Sequence, residues 1–208
     1  LNTMRIVDLS GIIEDGQPVY PGWPKTRIWT SDTHEEIGLQ WKDQLDDEEE
    51  TEIVKRSLQF HPNGDDEEHP LNRTIQMSEH GPTHVDSFNH FDPANDTSVD
   101  EIPLERFYTG GIALDFSHKD PEEFIGADDI QSQLDAHGYE IREGDTVLFH
   151  TGHRNRNYST ESVDKRRAYM FEHTGLSEEA GEFLLDSGVG NFGIDAPTVE
   201  HASAAKTK

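Results

Sequence analysis

The chain has 208 residues, room for one domain with a sizeable core, and its 43 Asp and Glu against 17 Lys and Arg give a formal charge of −26. That balance excludes phosphate-tracking nucleic-acid binding and attachment to anionic membranes, both of which need Lys and Arg. No apolar run approaches the ~18 residues of a bilayer span, and the absence of cysteine excludes disulfides, thiolate metal sites and a thiol nucleophile. Arg5 to Ser10, continuing into Gly11-Ile12-Ile13, reads as a short, largely buried strand. Tyr20-Pro21-Gly22-Trp23-Pro24 is a turn-rich loop that cannot be helix, and Lys25 to Thr30 reads as an edge strand. Residues 35–70 hold 13 of the acids, seven of them within ten positions from Asp43 to Glu52. They read as an acidic insertion or solvated loop, with short strands near Ile53–Phe60.

Arg73 to Ser78 alternates and predicts a strand, followed by a histidine-rich segment over residues 80–92. Ile102 to Phe107 predicts a short turn or helix, and Gly111 to Phe116 another strand. Ala127, Ile130 and Leu134 repeat at helical spacing up to Gly138. Gly144-Asp145 is a turn feeding a buried strand that ends at His150, and Ser177 is an N-cap for a helix ending near Gly188. Gly190 to Asp195 closes with a strand. Strands and helices are mixed without a repeat or linker, which predicts a single α/β or α+β domain over residues 1–208. Only 7 of the 17 basic residues are Lys. A carboxylate-rich, lysine-poor surface predicts a halophilic protein, because salt screens the self-repulsion of so many like charges. Leu1 to Arg5 lacks a signal-peptide core, which predicts a cytoplasmic location.

Chemistry concentrates in Ser78-Glu79-His80-Gly81-Pro82-Thr83-His84-Val85-Asp86-Ser87-Phe88-Asn89-His90. His80, His84, Asp86 and His90 follow an H-x3-H-x-D-x3-H spacing. All are even-numbered, so an extended segment would place them on one face. A helix would align His80 with His84 but turn Asp86 about 200° away from His84, and Gly81-Pro82 also argues for loop or strand. Two imidazoles and a carboxylate form a borderline N2O donor set suited to Zn, Mn or Fe(II) with positions left open for water. A further imidazole, His90 by spacing, would relay protons as general base and acid.

These residues resemble the cyclase family of metal-dependent hydrolases, which includes kynurenine formamidases and isatin hydrolases. The family hallmark H-x-G-T-H-x-D-x-P-x-H is similar to the run containing His80, Thr83, His84, Asp86 and His90. Val7-Asp8-Leu9-Ser10, Tyr20-Pro21-Gly22, Ile102-Pro103-Leu104-Glu105, Gly144-Asp145-Thr146-Val147-Leu148, Thr151-Gly152 and Gly193-Ile194-Asp195-Ala196-Pro197 resemble its other landmarks in order. The resemblance implies a swivelling β/β/α-type α/β fold with a small β-barrel-like core and flanking helices. It implies metal ligation by His80, His84 and Asp86, with one or two Zn or Mn ions per chain, and acid/base catalysis by His90. The implied reaction is arylformamidase-like hydrolysis of a small N-formyl or cyclic amide by a homodimer or homotetramer. Pro82 stands where the family has Gly, with Gly81 one position earlier, and Phe88 where it has Pro. Glu200-His201 lies outside the family's C-terminal His/Glu context, so a second metal site is left unassigned.

Trp23 and Phe88 are the candidate substrate-binding rings; a place in the core is the alternative for each. His150 and His153 stand either at a pocket rim or in a solvated loop, and Asp195 either supports the site or forms a turn. Arg154, Arg156, Arg166 and Arg167 form a basic patch that either attracts a carboxylate or balances local acids. The alternatives to the amide hydrolase are a lactone or carbamate hydrolase, a metal-binding scaffold without turnover, and an acidic interaction protein mimicking nucleic acid. The last leaves the His/Asp cluster unexplained.

Overall fold

A computed structural model describes residues 6–33, 36 and 71–204. The acidic run and the strands expected near Ile53–Phe60 lie outside the described residues. The centre of the fold is a three-stranded parallel sheet of β3 (Gly111–Asp115), β5 (Thr146–His150) and β7 (Asn191–Ile194), in that order. β1 (Arg27–Asp32) and β2 (Asn72–Gln76) pair antiparallel in a separate sheet, with Ile28 opposite Ile75 and a register shift between Thr30 and Asp32. β4 (Phe124–Ile125) and β6 (Gly175–Leu176) form a third, two-stranded parallel sheet. The architecture is mixed α/β, and no sheet among the described residues closes into a barrel.

Parallel strands need long crossovers, and helices supply them here. Between β3 and β5 runs α2 (Ala127–His137), and between β5 and β7 run α3 (His153–Asn157), α4 (Val163–Phe171) and α5 (Glu178–Asp186); α1 (Phe88–Phe91) is a single turn before the sheet. Ile130 and Leu134 in α2, and Ala180 and Leu184 in α5, are buried four residues apart on one helix face each. They pack on Leu114, Val147 and Phe149 from the sheet and on Phe116, Ile125 and Leu176 beside it. The ends of these helices are chemically fixed. The Ser177 hydroxyl accepts from the Ala180 N–H at 3.2 Å. Gly138 closes α2 in the left-handed region at φ 59°, where a side chain would be strained. Ahead of β5, the buried Asp145 carboxylate accepts from the Tyr139 hydroxyl at 2.7 Å and from the Arg142 N–H at 2.9 Å. These bonds hold its carboxyl below the usual carboxylate range.

The opening segment differs from expectation. Residues 6–20 contain no strand, and Ile6 is 88% exposed. Side chains take the backbone donors that a strand would pair: Asp8 accepts from the Ser10 N–H and Thr83 from the Gly11 N–H. The first of these is local and the second long-range, and both take donors that a sheet ladder would use. No helix among the described residues is long and apolar enough to cross a membrane.

Candidate metal centre

The loop after β2 carries the cluster. Residues 80–87 adopt neither helix nor strand, so convergence does not come from the alternation of an extended segment. The loop folds back instead, with a cis peptide between Gly81 and Pro82. His80 Nδ1 lies 2.8 Å from Asp86 Oδ1 and 3.3 Å from His84 Nε2, and His84 Nε2 lies 3.2 Å from Asp86 Oδ1. With Asp86 ionised, no placement of ring protons satisfies all three edges of this triangle. Two N–H groups face each other, or a nitrogen lone pair faces the carboxylate. One cation between the three atoms resolves the conflict. Tetrahedral ligation at about 2.0–2.1 Å places ligand atoms about 3.3 Å apart, close to two of the three observed edges. The donor set therefore fits a divalent metal.

Aromatic rings fix the His80 imidazole. Trp23 packs on it at 4.7 Å between centroids and His90 at 4.0 Å, with Tyr20 next to Trp23 at 5.4 Å. His80 Nε2 lies 3.5 Å from Glu79 Oε1. That contact favours the tautomer with the proton on Nε2 and the Nδ1 lone pair aimed at the centre, the arrangement that orients ligating histidines. His90 sits on α1, reached by a helical turn rather than an extended face, and is exposed. Phe88, two residues earlier and 46% exposed, makes no ring contact with the cluster. Glu79 and Tyr20 were not singled out by sequence reasoning. Glu79 gives no signal beyond adjacency to His80, and Tyr20 carries only its place in the Pro-Gly loop that resembles a family landmark.

The secondary candidates serve other places. His150 pairs with Asp115 at 3.3 Å on the exposed end of β3 and β5. His153 is fully buried: its Nε2–H donates to the Tyr169 carbonyl at 2.8 Å, and its Nδ1 accepts from the Asn157 amide at 3.2 Å. It is neither at a rim nor in solvent, and burial holds its pKa below the ordinary imidazole value. Asp195 Oδ1 accepts from the Thr151 N–H at 2.7 Å and hydroxyl at 2.6 Å, tying β7 to the end of β5. The arginines disperse: Arg156 and Arg166 donate to the Ser117 and Thr160 carbonyls, Arg167 pairs with Glu172, and Arg154 lies over the Tyr158 ring.

The family model described as "Putative cyclase" matches residues 7–201. The chain belongs to that family. No curated protein matches it by sequence. Among solved structures, an isatin hydrolase bound to the product analogue thioisatinate superposes with a TM-score of 0.69 at 19% identity, covering 96% of this chain and 70% of that one. Isatin hydrolase A from Ralstonia solanacearum gives 0.68 at 20% identity, covering 98% and 72%. A protein described as a novel cyclase gives 0.57 at 13%, covering 92% and 66%. At these identities the likeness establishes a shared fold. For this cyclase-family chain, the His80, His84 and Asp86 triangle stands as a group able to hold a metal.

Proposed function

We propose that this chain is a metal-dependent hydrolase of a small amide, N-formyl or cyclic, resembling kynurenine formamidase in its chemistry. The observation that carries the reading is the triangle of His80 Nδ1, His84 Nε2 and Asp86 Oδ1 with an exposed His90 packed beside it, its ring tilted against that of His80. The fold shared with isatin hydrolases supports an amide as the bond class. His80, His84 and Asp86 would hold Zn or Mn. Bound there, a divalent ion supplies Lewis acidity toward a carbonyl and acidifies water. His90 accepts the proton of the attacking water and returns it to the departing nitrogen, so that one C–O bond forms as the C–N bond breaks. Trp23 braces the His80 ring and offers an indole wall to an aromatic substrate. Phe88 supplies a second ring on the turn that carries His90.

The fold is read here as the swivelling β/β/α type, forming one domain in a homodimer or homotetramer. Support for the oligomer comes from apolar side chains that solvent would penalise: Tyr108 is 89% exposed and Leu104 81%. The excess of carboxylates over lysines supports a salt-rich cytoplasm as the setting.

Metal content by mass spectrometry tests the reading, on wild type and His84→Ala purified in high salt. About one Zn or Mn per chain, lost in the variant, is expected; about two would add a second site with ligands outside residues 80–90. Wild type that takes up neither metal on reconstitution would sink the hydrolase mechanism.

A further inference from the structure

The segment from Gly11 to Gln17 has neither helix nor strand, yet it is pinned from two sides. On one side is the ligand loop. The Gly11 N–H donates to Thr83 Oγ1 at 2.8 Å, next to His84. Gln17 is buried, its Oε1 accepting from the Glu14 N–H at 3.3 Å, and its Nε2 lies against Gly81, where an added Cβ would meet it at 3.4 Å. On the other side is α3. A Cβ built on Gly11 would lie 2.8 Å from Arg154 Nη2, 2.9 Å from Cζ and 3.1 Å from Nη1. The face of the guanidinium therefore lies on Gly11, at an approach from which a side chain at position 11 would displace it. The same guanidinium sits 4.1 Å above the Tyr158 ring, a cation–π contact. Among the described residues Arg154 forms no ion pair with a carboxylate, in a chain where acids outnumber bases 43 to 17. Its contacts include the Tyr158 ring, the Gly11 backbone and the Tyr169 hydroxyl.

We infer that Arg154 is a positioning residue for the metal centre: it clamps Gly11 against Thr83, and the strap of residues 11–17 thereby fixes the loop on which His80, His84 and Asp86 converge. The inference rests on reading those three residues as metal ligands. Arginine suits the role because its planar head can stack on an aromatic face and a peptide together, which a lysine ammonium cannot do.

The test is zinc affinity by chelator competition on the full-length chain, per folded protein, with the metal-free melting temperature as control. Arg154→Met keeps the aliphatic stem and loses the plane. Arg154→Lys keeps the charge and loses the plane. Thr83→Val removes the acceptor of the Gly11 N–H at an exposed position. All three are expected to raise the zinc Kd about tenfold or more, the scale for removing groups that orient ligands, with the metal-free melting temperature unchanged. Gly11→Ala is expected to cost more in the presence of Arg154 than in the Arg154→Met background, where the clash is gone. Wild-type zinc affinity in Arg154→Met and Thr83→Val would overturn the inference while leaving the metal reading standing. So would a variant that melts earlier but binds zinc normally in its folded fraction. Wild type that binds no zinc overturns the metal reading, and this inference with it.

Discussion

Around the His80 ring the histidine side chains take different positions. His80 and His84 each point one ring nitrogen at Asp86 Oδ1, whereas His90 meets the cluster through its ring and takes no part in the triangle. In the proposed mechanism, ligation and proton transfer are therefore separable by mutation. His90→Gln keeps a hydrogen-bonding side chain but cannot carry a proton at neutral pH. It is expected to retain the wild-type metal content and lose turnover by about 10²–10⁴-fold, the usual contribution of a positioned acid/base. A variant with full metal and full rate would remove His90 from the mechanism. The four residues were legible in the sequence because they fall within eleven positions of one another. The route by which they meet was not. An extended face would have aligned them, but the loop folds back and α1 supplies a helical turn.

Elements whose signals are local form as the pattern indicates. The apolar spacing of Ile130 and Leu134 and the stop at Gly138 give α2, and Ser177 caps α5. Ser177→Ala removes the acceptor of the Ala180 N–H and should cost about 1 kcal/mol of stability. A urea melt reads this as a lower midpoint at constant slope. Because α5 packs on the sheet and not on the ligand loop, zinc affinity should stay at the wild-type value. A shift in midpoint below a few tenths of a kcal/mol would mean that backbone bonds alone hold that helix start. The opening apolar run shows the converse. Arg5 to Ile13 has the composition of a buried strand, but residues 6–13 find no strand partner among the described residues. The donors of Ser10 and Gly11 go to side chains. Composition cannot specify a partner, and a strand exists only with one.

At the scale of the molecule, charge and buried imidazoles set the response to solvent. His173 is buried, its Nδ1–H donating to the Thr174 carbonyl at 3.0 Å, and it faces the His153 ring, with His201 as a further electrostatic neighbour and no carboxylate partner among the described residues. Burial, reinforced by those neighbours, pushes its pKa down to about 4 from the ordinary 6.5. Between these values the unfolded chain binds a proton that the folded chain refuses, so stability is full above pH 6.5 and falls as pH drops toward 4. The loss reaches roughly 3 kcal/mol. His173→Gln should flatten that limb of a pH-stability curve, and an unchanged limb would assign the loss to other groups. Raising KCl from low to molar concentration should raise the melting temperature, because a formal charge of −26 opposes compaction and salt screens it; a flat salt response would argue against halophilic adaptation. The sequence by itself marked His80, His84, Asp86 and His90 as the candidate site and determined the central strands and two capped helices. Each follows from backbone periodicity or from chemistry between near neighbours in the chain. Only the tertiary structure decided that Trp23 braces His80, that Gly11 meets Thr83 across 72 positions and that Arg154 lies on Gly11. Such contacts depend on how loops close and which surfaces exclude water together, and no local pattern along the chain records that.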